Sequence, residues 1–178
     1  MFICKNAMDG FLKLMGCAFL VSMLSACTGY NSLYPKYSSY QGDDSAILFV
    51  MDDSYNQSIY TYELTKEGCF DQKQRRLLTR NLALKGTGKD IYQYKIKADQ
   101  YYIIGVQSSG YFHYRTFIPK SNKIYGIYSG YVIELSATKN INNVTPEDFY
   151  TTKFEPSQIN SWNIKNICPG LFGSKTIG

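Results

Sequence analysis

The sequence contains a single histidine, His113, and this scarcity limits the catalytic mechanisms open to the chain. A Ser-His-Asp or Cys-His arrangement needs an imidazole base, so either would have to use this residue. His113 lies between Phe112 and Tyr114 inside a predicted strand, where an isolated histidine is more often structural or exposed than catalytic. We therefore predict that the chain is not an enzyme.

Metal-binding and phosphate-binding motifs are also missing from the sequence. No cluster of His, Cys and Asp residues has the spacing of a metal site. The pairs Asp43-Asp44 and Asp52-Asp53 could offer oxygen ligands, but the calcium-loop spacing with a central glycine is absent. The GTGK sequence at 86–89 lacks the full phosphate-loop spacing and the following Ser or Thr. We expect no metal and no cofactor.

The uncharged stretch near the start of the chain is too short to be a comfortable membrane anchor. It runs from Leu14 to Ala26, after Lys5 and Lys13. A spanning helix needs roughly 20 residues, whereas this length is typical of a signal-peptide core. Residues 1–26 are therefore predicted to be a signal peptide, although an uncleaved anchor stays open as the alternative.

The leader ends in Leu24-Ser25-Ala26-Cys27, which resembles the lipobox of bacterial lipoproteins. The resemblance implies that Cys27 receives a diacylglycerol on its sulfur, that the leader is cut before it, and that the new amino group is acylated. Thr28 stands where lipoproteins of the inner membrane tend to have Asp. The resemblance thus implies a lipid anchor at the periplasmic side of the outer membrane, in a bacterium with two membranes.

The charge balance of the mature chain is mild. The whole sequence has 19 Lys and Arg against 14 Asp and Glu, and the leader removes Lys5, Lys13 and Asp9, which leaves a net charge near +4. This allows weak attraction to anionic lipid headgroups or acidic glycans. A nucleic-acid binder would have denser and more clustered basic residues, so no nucleic-acid partner is expected.

Two cysteines remain in the predicted mature domain once Cys27 is acylated and the leader is removed. These are Cys69 and Cys168, near opposite ends of the domain. In an oxidising compartment an isolated pair of this kind is predicted to form a disulfide. A catalytic thiol is the competing interpretation and would need His113 as its base.

Polar residues and short alternating segments divide the rest of the chain. Residues 27–44 are predicted to be the lipidated N-terminus and a flexible tether, residues 45–174 a β domain, and residues 175–178 a loose tail. The apolar run at 46–51 has the form of a strand buried on both faces, and we expect it to form a hairpin with the alternating segment at 58–64.

Further strands are predicted in the middle of the domain. They cover residues 91–97, 101–107 and 111–118, followed by a long segment at 124–135 in which Gly126 and Gly130 are expected to be bulges or bends. The 17 tyrosines favour the half-buried surfaces of sheets. The prediction is a mainly β fold, a small antiparallel β-sandwich with one or two short helices.

Two segments do not alternate. Residues 70–84 could be a helix or a long loop, and the sequence Thr145-Pro-Glu-Asp-Phe149 has the features of a helix start. The first of these segments contains the only basic cluster of the sequence, which is either a solvated face or a docking patch for an acidic partner. Its residues are Lys73, Arg75, Arg76 and Arg80.

Residues 92–135 also resemble small periplasmic sandwich domains of the PEGA and carboxypeptidase-regulatory type. The residues that carry this resemblance are ADQYYIIGV and PKSNKIYGIYSG. Ala98-Asp99-Gln100 stands where those domains have Pro-Gly before the aromatic strand. The resemblance implies a non-catalytic β-sandwich.

These features together predict a membrane-anchored periplasmic lipoprotein that works by binding. We expect it to hold membrane lipid through Cys27 and to contact an envelope protein partner, as a scaffold or as an accessory of a secretion or envelope assembly. One alternative is an immunity lipoprotein that neutralises a toxin. A less favoured alternative is an enzyme acting on envelope glycan, with a carboxylate pair drawn from Glu63, Asp90, Asp99 and Glu134.

Overall fold

The computed structural model of the protein describes residues 35–52, 56–79, 90–108, 111–135, 141–153, 155 and 159–170. The secondary structure lies within one compact unit, Lys36–Gly178. The predicted signal peptide, Cys27 and the loose tail at 175–178 lie outside the described residues. No helix in the described part of the chain has the length and apolar character needed to cross a membrane.

Within the described residues, eight strands form a β-sandwich of two four-stranded sheets, which confirms the predicted fold class. Sheet I has the order β4-β1-β7-β8, and sheet II has the order β3-β2-β5-β6. The strand pairs are antiparallel except for β1 and β7, which run parallel. The strands are β1 (Ser45–Met51), β2 (Asn56–Leu64), β3 (Phe70–Thr79), β4 (Ile91–Lys97), β5 (Tyr101–Ser108), β6 (Tyr111–Phe117), β7 (Ile124–Tyr128) and β8 (Tyr131–Leu135).

Strand β1 is buried on both faces, as its continuous apolar sequence predicts. Leu48 and Val50 belong to the main core, which residues from both sheets share. Phe49 and Met51 point the other way, into a second cluster that includes Phe149. Because side chains alternate along a strand, the unbroken apolar run supplies both clusters at once.

The hairpin predicted between the first two strands is wrong. Strand β1 pairs with β4 and β7 in sheet I, whereas β2 pairs with β3 and β5 in sheet II. The chain therefore changes sheet at four connections, which lie between β1 and β2, between β3 and β4, between β4 and β5, and between β6 and β7. A turn sequence predicts where the chain reverses, but it does not predict which sheet receives the next strand.

The helix or loop predicted for residues 70–84 is also wrong over its described part. Residues Phe70–Thr79 form β3, which pairs with β2 along the edge of sheet II. The pairing register shifts between Thr61 and Tyr62 and again between Gln57 and Ser58. These irregularities break the period of two, and the charged side chains of the edge strand further obscure the alternation.

The long segment at 124–135 is two strands joined by a tight turn. Tyr128 pairs with Tyr131, and the two residues between them have positive φ angles, 46° at Ser129 and 78° at Gly130. This is the backbone that a two-residue hairpin requires, so Gly130 lies at a bend as predicted. Gly126 instead pairs in regular register with Phe49 and Ile133 and is no bulge.

A short helix, α1 (Pro146–Thr151), covers the outer face of sheet I and confirms the predicted helix start. The side chain of Asp148 accepts hydrogen bonds from the backbone N–H and the hydroxyl of Thr145, at 2.9 and 3.3 Å. Phe149 projects into the second cluster and is 3% exposed. The cap therefore sets where the helix begins, and the phenyl ring fixes it to the sheet.

Residues 36–40 lie against the sandwich, although they were predicted to belong to the tether. The N–H of Tyr37 donates to the carbonyl of Leu77 in β3, and the N–H of Tyr40 donates to the carbonyl of Lys95 in β4. The ring of Tyr37 packs edge-on against Tyr94, with centroids 5.6 Å apart. The segment thus closes the side of the sandwich where β3 and β4 are the edge strands, and any free tether ends before Lys36.

The C-terminal segment, residues 159–170, crosses the outer face of sheet II. At the β6 end the N–H of Ile118 donates to the carbonyl of Asn160, and at the β3 end the N–H of Cys168 donates to the carbonyl of Phe70. A disulfide joins Cys168 to Cys69, as predicted. This segment is called the strap below.

Candidate binding surface

A groove opens at the side of the sandwich opposite residues 36–40, where β6 and β8 are the edge strands. Its volume is about 430 Å³, within the usual range for ligand pockets. The strap forms one wall, and the edge strands form the others. The residues that line the groove are Tyr114, Arg115 and Thr116 of β6, Val132 of β8, and Ile159, Ser161, Trp162, Asn163 and Ile164 of the strap.

Strand β6 presents aromatic side chains on the rim of this groove. Phe112 is 51% exposed and stacks on Tyr114, with the two rings 6.3 Å apart and almost parallel. Tyr111 is 72% exposed at the start of the same strand. Alternation along the strand places Phe112 and Tyr114 on the outer face of sheet II, so this rim is an aromatic surface continuous with the groove.

Strand β8 contributes the opposite rim through Tyr131. This residue is 43% exposed, and the guanidinium carbon of Arg115 lies 5.6 Å from the centre of its ring. A cation at that distance over a tyrosine is attracted by the electrons of the ring. The contact joins the edge strands β6 and β8 at this side of the sandwich and places an aromatic ring beside a positive charge.

Trp162 packs the wall of the groove against sheet II. Its indole N–H donates to the backbone carbonyl of Tyr102 at 2.9 Å, and its ring lies 4.4 Å from that of Phe70 and 5.1 Å from that of Tyr62. The backbone of Trp162 also exchanges hydrogen bonds with the hydroxyl of Thr116 in β6. The groove therefore rests on an aromatic cluster on the outer face of sheet II.

Two tyrosines that contact Trp162 are held in their neutral form. Burial raises the pKa of Tyr102, whose hydroxyl accepts a hydrogen bond from the backbone N–H of Lys97. Burial also raises the pKa of Tyr62, whose hydroxyl donates to the side-chain carbonyl of Gln72. These phenols serve as packing and hydrogen-bonding groups, because loss of their protons would place a charge in an apolar environment.

The predicted basic cluster is spread over β3 and has local partners. Lys73 contacts the carboxylates of Asp71 and Glu63, and the hydrogen bond to Asp71 raises the pKa of its ammonium. Arg75 lies over the ring of Tyr60 at 5.2 Å, and Arg76 donates to the carbonyl of its neighbour Arg75. Arg80 lies outside the described residues. The described members of the cluster are at the edge of sheet II opposite β6.

The residues considered for catalysis lie on separate elements. His113 is exposed on β6, and Cys69 and Cys168 form the disulfide, so these two cysteines do not provide a free thiol. Among the residues that the structure describes, no three His, Cys, Asp or Glu side chains are grouped as metal ligands would be. Three of the four candidate acids pair with lysines, namely Glu63 with Lys73, Asp99 with Lys120 and Glu134 with Lys123.

The sequence patterns did not predict the groove. Its wall comes from residues 159–164, which have no periodicity and lie far from β6 in the sequence. One signal was present in Tyr111-Phe112-His113-Tyr114, where aromatic residues occupy successive positions of a strand. A strand with one face in solvent should alternate apolar and polar residues, so this run puts at least one large ring in water.

Comparison with protein-family models finds no family that matches the chain. Searches of curated proteins and of solved structures likewise find no similar protein.

Proposed function

We propose that this protein is a lipid-anchored binding module of a bacterial cell envelope, without catalytic activity, and that it contacts a protein partner through the β6–β8 edge. The binding surface consists of the groove and the exposed aromatic residues that contact its lining, Phe112 on β6 and Tyr131 on β8. The anchor is Cys27 at the periplasmic side of the outer membrane. A disulfide between Cys69 and Cys168 agrees with an oxidising compartment.

The observation that carries the proposal is the exposure of two large aromatic residues that contact the lining of one groove, since Phe112 stacks on Tyr114 and Tyr131 lies against Arg115. Phe112 and Tyr131 are 51% and 43% exposed. Scattered apolar side chains on a surface need no explanation, but a group beside a concave site is typical of an interaction surface. Tyrosine and arginine are also enriched where proteins meet, and Arg115 lies beside Tyr131.

The position of the anchor keeps the domain near the membrane. Lys36 begins the compact unit and follows Cys27 by nine positions in the sequence. Because an extended chain covers at most about 3.6 Å per residue, the lipidated cysteine and Lys36 are within roughly 32 Å of each other. A partner of this domain is therefore expected to be another component of the same envelope layer.

Site-directed photo-crosslinking in living cells tests the surface. A photoreactive amino acid at position 112 or 131 should give a cross-linked product of one defined mass. Position 92 is the matched control, because Tyr92 is 39% exposed but belongs to β4 at the other side of sheet I. Equal cross-linking from 92 and 131, or none from 112 and 131, would contradict the assignment of the surface.

Metabolic labelling tests the anchor separately. Wild-type protein should incorporate an alkyne-labelled palmitate, and the Cys27→Ser variant should not. Absence of the label from wild-type protein would remove the envelope assignment, whatever the cross-linking shows. The identity of the cross-linked partner separates a scaffold role from the immunity alternative, because a secreted toxin would be captured in the second case.

A further inference from the structure

We propose that the Cys69–Cys168 disulfide builds the binding groove, so that the groove exists in the oxidised protein and is lost when this bond is reduced. The disulfide holds the strap against sheet II, and the strap is one wall of the groove. The inference concerns regulation of the surface described above, and its biological meaning rests on that proposed function.

The strap spans sheet II from one edge to the other. Its first part lies beside Thr116 of β6, its middle crosses the outer face, and its last part reaches β3, where Ile167 forms a parallel bridge with Phe70. Strands β6 and β3 are the two edge strands of that sheet. The groove is at the β6 end of the strap and the disulfide is at the β3 end. The bond and the wall that it supports are therefore at opposite edges of sheet II.

Four apolar side chains pack the strap against the sandwich. Of its residues 159–170, Trp162 and Ile167 are buried, and Ile159 and Ile164 are half-buried against the core clusters. Each ordered residue loses conformational entropy, and these four side chains offset only part of that loss over a segment of this length. The disulfide supplies the remaining constraint, because it prevents the end of the strap from leaving β3.

Both cysteines are half-buried rather than enclosed, so a reductant can approach the bond. The reductant is a dithiol. One of its thiolates attacks a sulfur of the disulfide, which forms a mixed disulfide and releases the other cysteine as a thiolate. The second thiolate of the reductant then attacks the mixed disulfide and releases the remaining cysteine. The two cysteines gain two electrons and two protons and become thiols, while the dithiol becomes a disulfide.

The chain itself contains a reporter for the strap. Trp162 is its only tryptophan, and it is 8% exposed in the closed wall. Addition of dithiothreitol to the purified full chain should shift tryptophan emission to longer wavelength and increase quenching by acrylamide severalfold. The Cys69→Ser/Cys168→Ser variant should show the same emission without any reductant.

Amide hydrogen exchange shows whether the change is confined to the strap. Reduction should remove protection from the amides of Ile118, Trp162 and Cys168, whose hydrogen bonds run between the strap and sheet II. The amides of Tyr37 and Ile47 should stay protected, because they donate to Leu77 and Lys123 outside the strap.

Two results would overturn the proposal. Unchanged emission and exchange after confirmed reduction would mean that packing alone holds the wall. Loss of protection at Tyr37 and Ile47 as well would mean that the bond maintains the whole sandwich rather than the strap. Neither measurement uses a partner, so failure here is distinct from failure of the cross-linking that tests the proposed function.

Discussion

Replacement of Gly126 by alanine should destabilise the sandwich, because α1 packs directly on this position. A Cβ atom at Gly126 would lie 2.8 Å from Cε1 and 3.2 Å from Cδ1 of Phe149, and 3.3 Å from Cγ1 of Ile133. Carbon atoms in good contact are about 3.5–4.0 Å apart. The phenyl ring would have to move by several tenths of an ångström, and it is attached to a helix of only six residues.

The expected size of the effect follows from two opposing terms. Forcing an extra methyl group into a packed core costs about 1–3 kcal/mol. Alanine also has less conformational freedom than glycine in the unfolded chain, which returns about 0.4–1 kcal/mol. At the midpoints of these two ranges the net loss for Gly126→Ala is about 1.3 kcal/mol, and the melting temperature should fall by roughly 3–5 °C for a domain of this size.

A double-mutant cycle identifies the contact. Phe149→Leu removes the ring atoms that the new Cβ would meet, so this substitution should cost less in the Gly126→Ala background than in wild type. We expect a coupling energy of about 1 kcal/mol, within the usual range for residues in contact. Urea unfolding of the four proteins under oxidising conditions provides the measurement. Additive effects, or a Gly126→Ala variant as stable as wild type, would refute the packing argument.

Two further predictions concern the helix cap and alkaline stability. Asp148→Ala should cost about 1–2 kcal/mol, because the N–H of Thr145 loses its acceptor at the start of α1, and Asp148→Asn should recover most of the loss in urea unfolding. Burial raises the folded-state pKa of Tyr102 above the usual tyrosine value of about 10, so its contribution to stability is complete below that pH and decreases as the pH rises. Tyr102→Phe should be less stable than the wild type at pH 8, because the N–H of Lys97 loses an acceptor. Between pH 8 and pH 11, however, the variant should lose less stability than the wild type does. If the free energy of unfolding fell equally with pH in both proteins, this explanation would be contradicted.

Local pattern was enough to predict most strands and the fold class, but it did not predict their arrangement. The apolar run of β1 indicated burial on both faces, and this is correct because α1 covers its outer side. The parallel pairing of β1 with β7 joins Ile47 to Ile124, and no short-range signal reports a contact between residues so far apart. The same limitation produced the false hairpin between β1 and β2.

The site was less predictable than the fold for a related reason. The disulfide could be predicted because the expected removal of the leader and acylation of Cys27 would leave only Cys69 and Cys168. The groove wall could not, because its position depends on Trp162 fitting among aromatic side chains from β2, β3 and β5. Strand β3 was missed because its register shifts and charged side chains hide the alternation that identifies other strands.

The segment at 36–40 also determines how the domain would respond to mechanical tension. A pull on the chain from the residues before Lys36 reaches the sandwich at the bonds from Tyr37 to Leu77 and from Tyr40 to Lys95, well before it reaches β1. These contacts join both sheets, so the load is divided between them. The first event under force would be the peeling of Tyr37 away from Tyr94, which would leave the eight strands and the opposite edge intact.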